Sequence, residues 1–162
     1  MQYGYFDNEQ KEYVITRPDT PTPWMNYLGN GGFGGIISAT GGGMIFDRDP
    51  SYRRVTRYHF DGLPKDRPGR YLYIRNQDTG DFFSPTWQPV MKKLQHYECR
   101  HGLGYTKITG CYDDLQTVIM YCVPLEENFE LWQVKMENHS GTEKHLRLFS
   151  YVEFAFPYAY YD

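Results

Sequence analysis

Leu131-Trp132-Gln133-Val134-Lys135-Met136-Glu137 alternates apolar and polar side chains residue by residue. A period of two sends every second side chain to the same face, which is what a strand with one buried side requires. Short aromatic or β-branched runs recur along the whole chain. Residues 3–6 and 13–16 flank a polar stretch and read as a hairpin with a longer loop. Further strand signals lie at 55–60, 70–75, 95–100, 105–109, 116–123 and 145–156, the last placing Leu146, Leu148, Ser150, Val152 and Phe154 on one face. Asp78-Thr79-Gly80-Asp81 and Asn138-His139-Ser140-Gly141-Thr142 supply turns. No segment longer than a turn or two carries a 3.6-residue period. The expected fold is all-β, an antiparallel β-sandwich.

The chain's 162 residues suit one domain over 1–162. Tyr, Phe and Trp make up 18% of it, a bias that fits pleated, half-buried surfaces and also suits sugar rings, whose apolar faces lie on aromatic faces. A net charge of −3 gives no global attraction to nucleic acid or anionic lipid, so neither is an expected partner. No stretch approaches the roughly 20 apolar residues of a spanning helix. The start has neither the basic nor the apolar region of a signal peptide, and Cys99, Cys111 and Cys122 fit no zinc spacing. Reduced thiols in a cytoplasmic protein without a metal follow as the expectation. The aromatic end, Tyr158-Ala159-Tyr160-Tyr161-Asp162, reads as cut from something longer.

Gly29-Asn30-Gly31-Gly32-Phe33-Gly34 matches G-x-G-x-x-G, but dinucleotide chemistry needs a helix after that loop and none is legible. A glycine-rich turn between strands, or close backbone packing, is expected instead. Alternation puts Cys99 and His101 on one face and Glu98 with Arg100 on the other, so a buried thiol and a hydrogen-bonded histidine are expected rather than a metal pair. Asp7, Asp47, Asp49, Asp61, Asp81, Asp113 and Asp114 sit beside turn residues and read as turn formers, not a carboxylate pair. Arg48, Arg53, Arg54 and Arg57 cluster between Tyr52 and Tyr58. Guanidinium forks match phosphate, but Arg53, Arg54 and Arg57 are expected to face another domain or subunit.

Several motifs occur in fixed order: Gly4-Tyr5-Phe6-Asp7, Tyr13-Val14-Ile15-Thr16-Arg17-Pro18-Asp19-Thr20-Pro21 and Pro23-Trp24-Met25-Asn26-Tyr27-Leu28-Gly29. Arg53-Arg54-Val55-Thr56-Arg57-Tyr58, Gly69-Arg70-Tyr71-Leu72-Tyr73-Ile74, Phe83-Ser84-Pro85-Thr86-Trp87-Gln88-Pro89-Val90 and Tyr97-Glu98-Cys99-Arg100-His101-Gly102-Leu103-Gly104-Tyr105-Thr106 follow. With these the chain resembles, over nearly its whole length, the N-terminal part of glycoside phosphorylases of the cellobiose phosphorylase type. The resemblance implies a large, galactose-mutarotase-like super-sandwich ahead of a helical linker and an (α/α)₆ barrel. It implies a homodimer in which phosphate, a co-substrate rather than a cofactor, attacks the anomeric carbon of a β-glucosyl disaccharide. The products would be α-glucose 1-phosphate and a shorter sugar, with inversion. Phosphate arrives already anionic, so one carboxylic acid suffices to protonate the leaving oxygen. In the family that acid lies in the helical barrel, so no catalytic residue is assigned within 1–162.

Cellobiose is the expected disaccharide. The glycine-rich stretch 29–38 departs from the cellobiose enzymes, leaving laminaribiose, cellodextrin and cellobionic acid open. The alternative is a stand-alone carbohydrate-binding sandwich without catalysis, which exposure of Trp24, Trp87 and Trp132 in a row would favour. A plain assembly domain is the third reading.

Overall fold

The computed structural model describes residues 2–57, 69–156 and 158. Tyr58, Asp61 and the last part of the 55–60 run lie outside the described residues. Twelve strands and no helix are found among the described residues: β1 (Gly4–Asp7), β2 (Glu12–Ile15), β3 (Met25–Gly29), β4 (Phe33–Ser38), β5 (Gly43–Asp47) and β6 (Tyr71–Asn76) come first. β7 (Phe82–Phe83), β8 (His96–Gly102), β9 (Tyr105–Tyr112), β10 (Leu115–Cys122), β11 (Leu131–Asn138) and β12 (Leu146–Tyr151) complete them. One six-stranded sheet has the order β1-β2-β8-β9-β10-β11, and two three-stranded sheets run β12-β6-β7 and β3-β4-β5. The strands are paired antiparallel, as the alternating sequence requires.

Register explains the core. Ile15 lies opposite Cys99, Cys99 opposite Ile108, Ile108 opposite Ile119, and Ile119 opposite Val134. One apolar row therefore crosses five strands on the inner face of the large sheet. The next row reads Phe6, Tyr13, His101, Thr106, Tyr121 and Trp132. Against these rows pack Leu28, Ile37 and Ala39 from the β3–β5 sheet and Leu72 from β6, forming one buried cluster. A smaller cluster, Ile74, Phe83 and Leu115, closes the end near β7. The arrangement is the expected all-β sandwich.

A buried arginine ties the layers together. Arg70 donates from Nε to Glu130 at 2.7 Å, from Nη1 to the carbonyls of Ile36 (3.0 Å) and Gly42 (3.3 Å), and from Nη2 to Met44 O (3.0 Å). Its side chain is 1% exposed and that of Glu130 is 3% exposed. Tyr121 in the large sheet donates its hydroxyl to Arg70 O. One guanidinium thus fixes β4, β5 and the lead-in to β11 around a neutralised charge.

The glycine-rich passage proves to be a strand pair. Gly35 sits in β4, and a Cβ there would come within 1.9 Å of Met44 O. Only glycine permits that approach between β4 and β5. The run at 55–60, read as a strand, makes within its described residues 55–57 one isolated bridge, Thr56 with Phe154, while the neighbouring Arg54 bridges Phe46. Its ladder is diverted because the amides of Val55 and Thr56 both donate to Ile45 O, while the Thr56 hydroxyl accepts from Ile45 N. The run at 145–156 contracts to β12, and its expected buried face is open: Leu148 is 44% and Phe154 75% exposed. β12 is an edge strand, and no strand among the described residues lies beyond it.

Candidate functional site

Most sequence-derived candidates resolve into structure. The glycine motif is the β3–β4 turn, where Asn30 Oδ1 accepts from the amides of Gly32 and Phe33. Asn30 Nδ2 donates to the carbonyls of Pro124 and Glu127, locking the turn to the chain before β11. No helix follows it, so the dinucleotide reading has no structural basis. Cys99 is fully buried, and burial pushes its thiol well above the ordinary range. No group of three or more His, Cys, Asp or Glu fit to hold a metal occurs among the described residues.

The described aspartates of that reading serve turns and surface pairs. Asp113 and Asp114, both at positive φ, form the β9–β10 turn, and Asp49 Oδ1 accepts from the Ser51 amide. Asp47 gathers Arg48 and Arg53 at 3.2 and 3.1 Å, and Asp81 binds Lys92 and Tyr112. In the arginine cluster, Arg53 is exposed, Arg57 half-buried and Arg54 buried among this chain's own residues. Glu130 is the carboxyl whose environment most resembles that of a general acid, because burial raises its pKa against the pull of Arg70. At 3% exposure and clasped by Arg70 it meets no substrate; it is a structural group.

One open site stands out. The β1–β2 turn, the segment Pro23–Asn26 and the β8–β9 turn converge on a groove of about 820 Å³. It exists because the second layer stops short of the β1 edge. The row Phe6–Tyr13–His101 is covered by Trp24 at one end and runs out into solvent at Phe6, 75% exposed. Phe6 meets Tyr13 edge-on at 4.8 Å, Tyr13 meets Trp24 at 5.7 Å, and Trp24 meets Tyr3 at 5.9 Å. Such tilted contacts hold rings in fixed orientation while leaving faces free.

The polar floor of the groove is internally satisfied. His101 Nε2 lies 3.2 Å from Trp24 O, and a carbonyl can only accept, so Nε2 carries the proton. Nδ1 then accepts from the Thr106 hydroxyl at 2.9 Å. Burial lowers the His101 pKa and keeps the ring neutral. Asn26 Nδ2 donates to the carbonyls of Gly102 and Tyr105, sewing β3 to the β8–β9 turn. Beneath the β1–β2 turn, Arg100 donates to Glu98 (2.6 Å), Glu12 (2.8 Å) and Asp7 (3.2 Å), and Tyr105 donates to Glu12 at 2.5 Å. The Gln10 amide and then Arg100 lower the Asp7 pKa; burial raises that of Glu12, but Tyr105 and Arg100 outweigh it. Both carboxylates stay ionised and occupied, as a frame rather than as reagents.

The groove's rings escaped the sequence reading because their meeting is tertiary, although the hairpin at 3–16 implied that Phe6 and Tyr13 pair. The discriminating tryptophans do not form an exposed row. Trp24, Trp87 and Trp132 are each partly buried against the main core.

Comparison with known proteins completes the picture. Residues 11–162 match the family described as glycosyl hydrolase 94, supersandwich domain. The chain belongs to that family. As a glycosyl hydrolase 94 supersandwich domain, it is 48% identical to an N,N'-diacetylchitobiose phosphorylase of Vibrio furnissii over 96% of its own length and 20% of the relative's. Identity to the N,N'-diacetylchitobiose phosphorylase of Vibrio proteolyticus is 44%, over 100% of this chain and 20% of that protein. A solabiose phosphorylase of Paenibacillus borealis is 34% identical over 94% of this chain and 20% of its own length. The chain therefore spans about a fifth of the length of these curated relatives. No helix of the described residues is long and apolar enough to cross a membrane.

Proposed function

We propose that this domain belongs to an inverting glycoside phosphorylase that converts a β-linked disaccharide and inorganic phosphate into a sugar 1-phosphate and a monosaccharide. The supporting observation is the family match over residues 11–162 together with 48% identity to a disaccharide phosphorylase across 96% of the chain. The two relatives sharing 48% and 44% of residues are named for N,N'-diacetylchitobiose, so a β-linked N-acetylglucosamine disaccharide becomes the first substrate to test, ahead of the expected cellobiose.

In this reading the domain 1–162 is scaffold. The carboxylates it buries or half-buries beside the groove and in the core are engaged: Asp7, Glu12 and Glu98 by Arg100, and Glu130 by Arg70. The acid that protonates the leaving oxygen and the groups that bind phosphate lie outside residues 1–162, in a helical barrel. The segment carrying Arg53, Arg54 and Arg57 faces another domain or the second subunit of a homodimer, with exposed Arg53 providing the accessible charge and buried Arg54 anchoring it. The enzyme works in the cytoplasm with no cofactor.

The experiment is a phosphorolysis assay on the protein at the length its gene encodes, with phosphate and either N,N'-diacetylchitobiose or cellobiose. Phosphate-dependent release of the α-sugar 1-phosphate supports the reading. Hydrolysis without phosphate, or no turnover of any β-linked disaccharide, overturns it.

A further inference from the structure

We propose that the open edge formed by β12 and the residues just after it takes a further β-strand from this protein's own chain beyond Asp162, so that the sandwich does not close within residues 1–162. The backbone defines that edge. Gln77 N donates to His145 O (2.7 Å) at one end; at the other, Arg57 N donates to Glu153 O (2.9 Å) and Ala155 N to Val55 O (3.1 Å). Opposite residues of an antiparallel ladder are bonded in alternation, and β12 pairs with β6 from Leu146↔Asn76 to Tyr151↔Tyr71. The odd residues of 145–155 therefore bond inward, to β6 and to 55–57. The amides and carbonyls of Leu146, Leu148, Ser150, Val152 and Phe154 point outward, and no strand among the described residues lies on that side. At roughly 3.3 Å per residue this edge is about 30 Å long.

The side chains agree. Leu148 and Ser150 lie opposite Ile74 and Leu72, both buried, so theirs is the core-facing side of the sheet. Yet Leu148 is 44% exposed. The opposing sheet ends alike: Met136, in edge strand β11 opposite the buried Thr117, is 42% exposed. Leu146 packs against Ile74, Phe83 and Leu115, and Leu115 pairs with Asn138 of β11, which puts the two edges on one side. The core is open where both sheets stop. An edge that stays free in solution is normally short, or carries proline, lysine or an inward charge. β7, the other edge of the same sheet, is two residues long. Residues 146–154 hold no proline or lysine, and their core-facing side reads Leu, Leu, Ser, Val, Phe.

Order and length name the occupant. β12 is the last strand in chain order among the described residues, and successive strands lie side by side about two-thirds of the time. The chain covers about a fifth of its relatives' length, so in the phosphorylase reading, on which the inference rests for length alone, ample chain remains. The incoming strand should itself alternate, with apolar side chains at every second residue turned toward Leu148 and Met136.

The test is hydrogen exchange, resolved to single amides, on the protein at the length its gene encodes. It involves neither sugar nor phosphate nor turnover, so it and the functional reading can fail separately. The amides of Leu148 and Ser150 should exchange as slowly as those of Arg147 and Phe149, at least about a hundredfold below the unprotected rate, and equally at high and low protein concentration. Leu148→Lys should cut that protection at least about tenfold, because it sets a charge into the covered face. Fast exchange at Leu148 and Ser150 beside protected Arg147 and Phe149 would overturn the proposal. So would protection lost on dilution, which marks a second copy as the occupant, protection that Leu148→Lys leaves intact, or a gene that ends at residue 162.

Discussion

Arg70 and Arg100 are both arginines held by carboxylates, yet they serve opposite ends of the molecule. Arg70 is sealed at 1% exposure, with one carboxylate and three carbonyls as acceptors. Arg100 is one-fifth exposed and gathers three carboxylates under the β1–β2 turn beside an open groove. The difference teaches how such a sandwich divides its labour. A sealed charge must be paired with an opposite one and fixes the two layers, whereas a half-open charge network shapes a surface and remains responsive to solvent.

The largest effect should come from Arg70→Met. It strands Glu130 in the core and takes a donor from three carbonyls, of which Gly42 O keeps the Ser38 amide, a loss of about 3–5 kcal/mol that lowers Tm by roughly 10 °C or more in a domain of this size. Thermal unfolding measures it, and Arg70→Met with Glu130→Leu should recover much of the loss. A cost below about 1 kcal/mol would erase the contrast between the two arginines. Gly35→Ala comes next, at about 1–3 kcal/mol, because its methyl group meets Met44 O and the β4–β5 pair must shift. Arg100→Met should cost less, about 1–2 kcal/mol, since water reaches Asp7 and Glu98 and the buried Glu12 keeps the Tyr105 hydroxyl as a donor.

Acid should sharpen the comparison. His101 is held neutral below its ordinary 6.5, so its share of stability is complete above that pH and is lost as pH falls through its lowered value. Asp7 and Glu12, lowered from 3.8 and 4.5, contribute stability that is complete above those values and is lost as pH falls further. Glu130, raised, works in the opposite sense. The readout is therefore the difference in Tm between wild type and Arg100→Met, in which Glu130 and His101 largely cancel. That difference should be constant at neutral pH and shrink below about pH 4.5. A difference independent of pH would mean that Arg100 acts through packing alone. The smallest stability effect belongs to Phe6→Ala, within about 0.5 kcal/mol, because its ring is mostly in solvent.

Much of the sandwich was legible in the chain. Alternation at 131–137 marked β11 to within a residue, and the runs at 95–100, 105–109 and 116–123 fell on β8, β9 and β10. Alternation also put Cys99 and His101 on the core side and Arg100 with Glu98 opposite, as found. Glycine hid β4 and β5, because it signals turns as readily as the close strand approach that Gly35 makes. At 55–57 β-propensity could not reveal that Ile45 draws the amides of Val55 and Thr56 to one carbonyl. Nothing in the 70–75 strand signal marked Arg70 as buried, since its acceptors come from residues 26 to 60 positions away. The groove was illegible for the same reason: Phe6 and Trp24 come to either side of Tyr13 only in the folded chain.

The most direct test of the account is whether residues 1–162 alone break a glycosidic bond. With inorganic phosphate and N,N'-diacetylchitobiose or cellobiose, the purified chain should form no sugar 1-phosphate while remaining folded by its amide spectrum. Phosphate-dependent formation of that product by this chain would contradict the reading of it as scaffold.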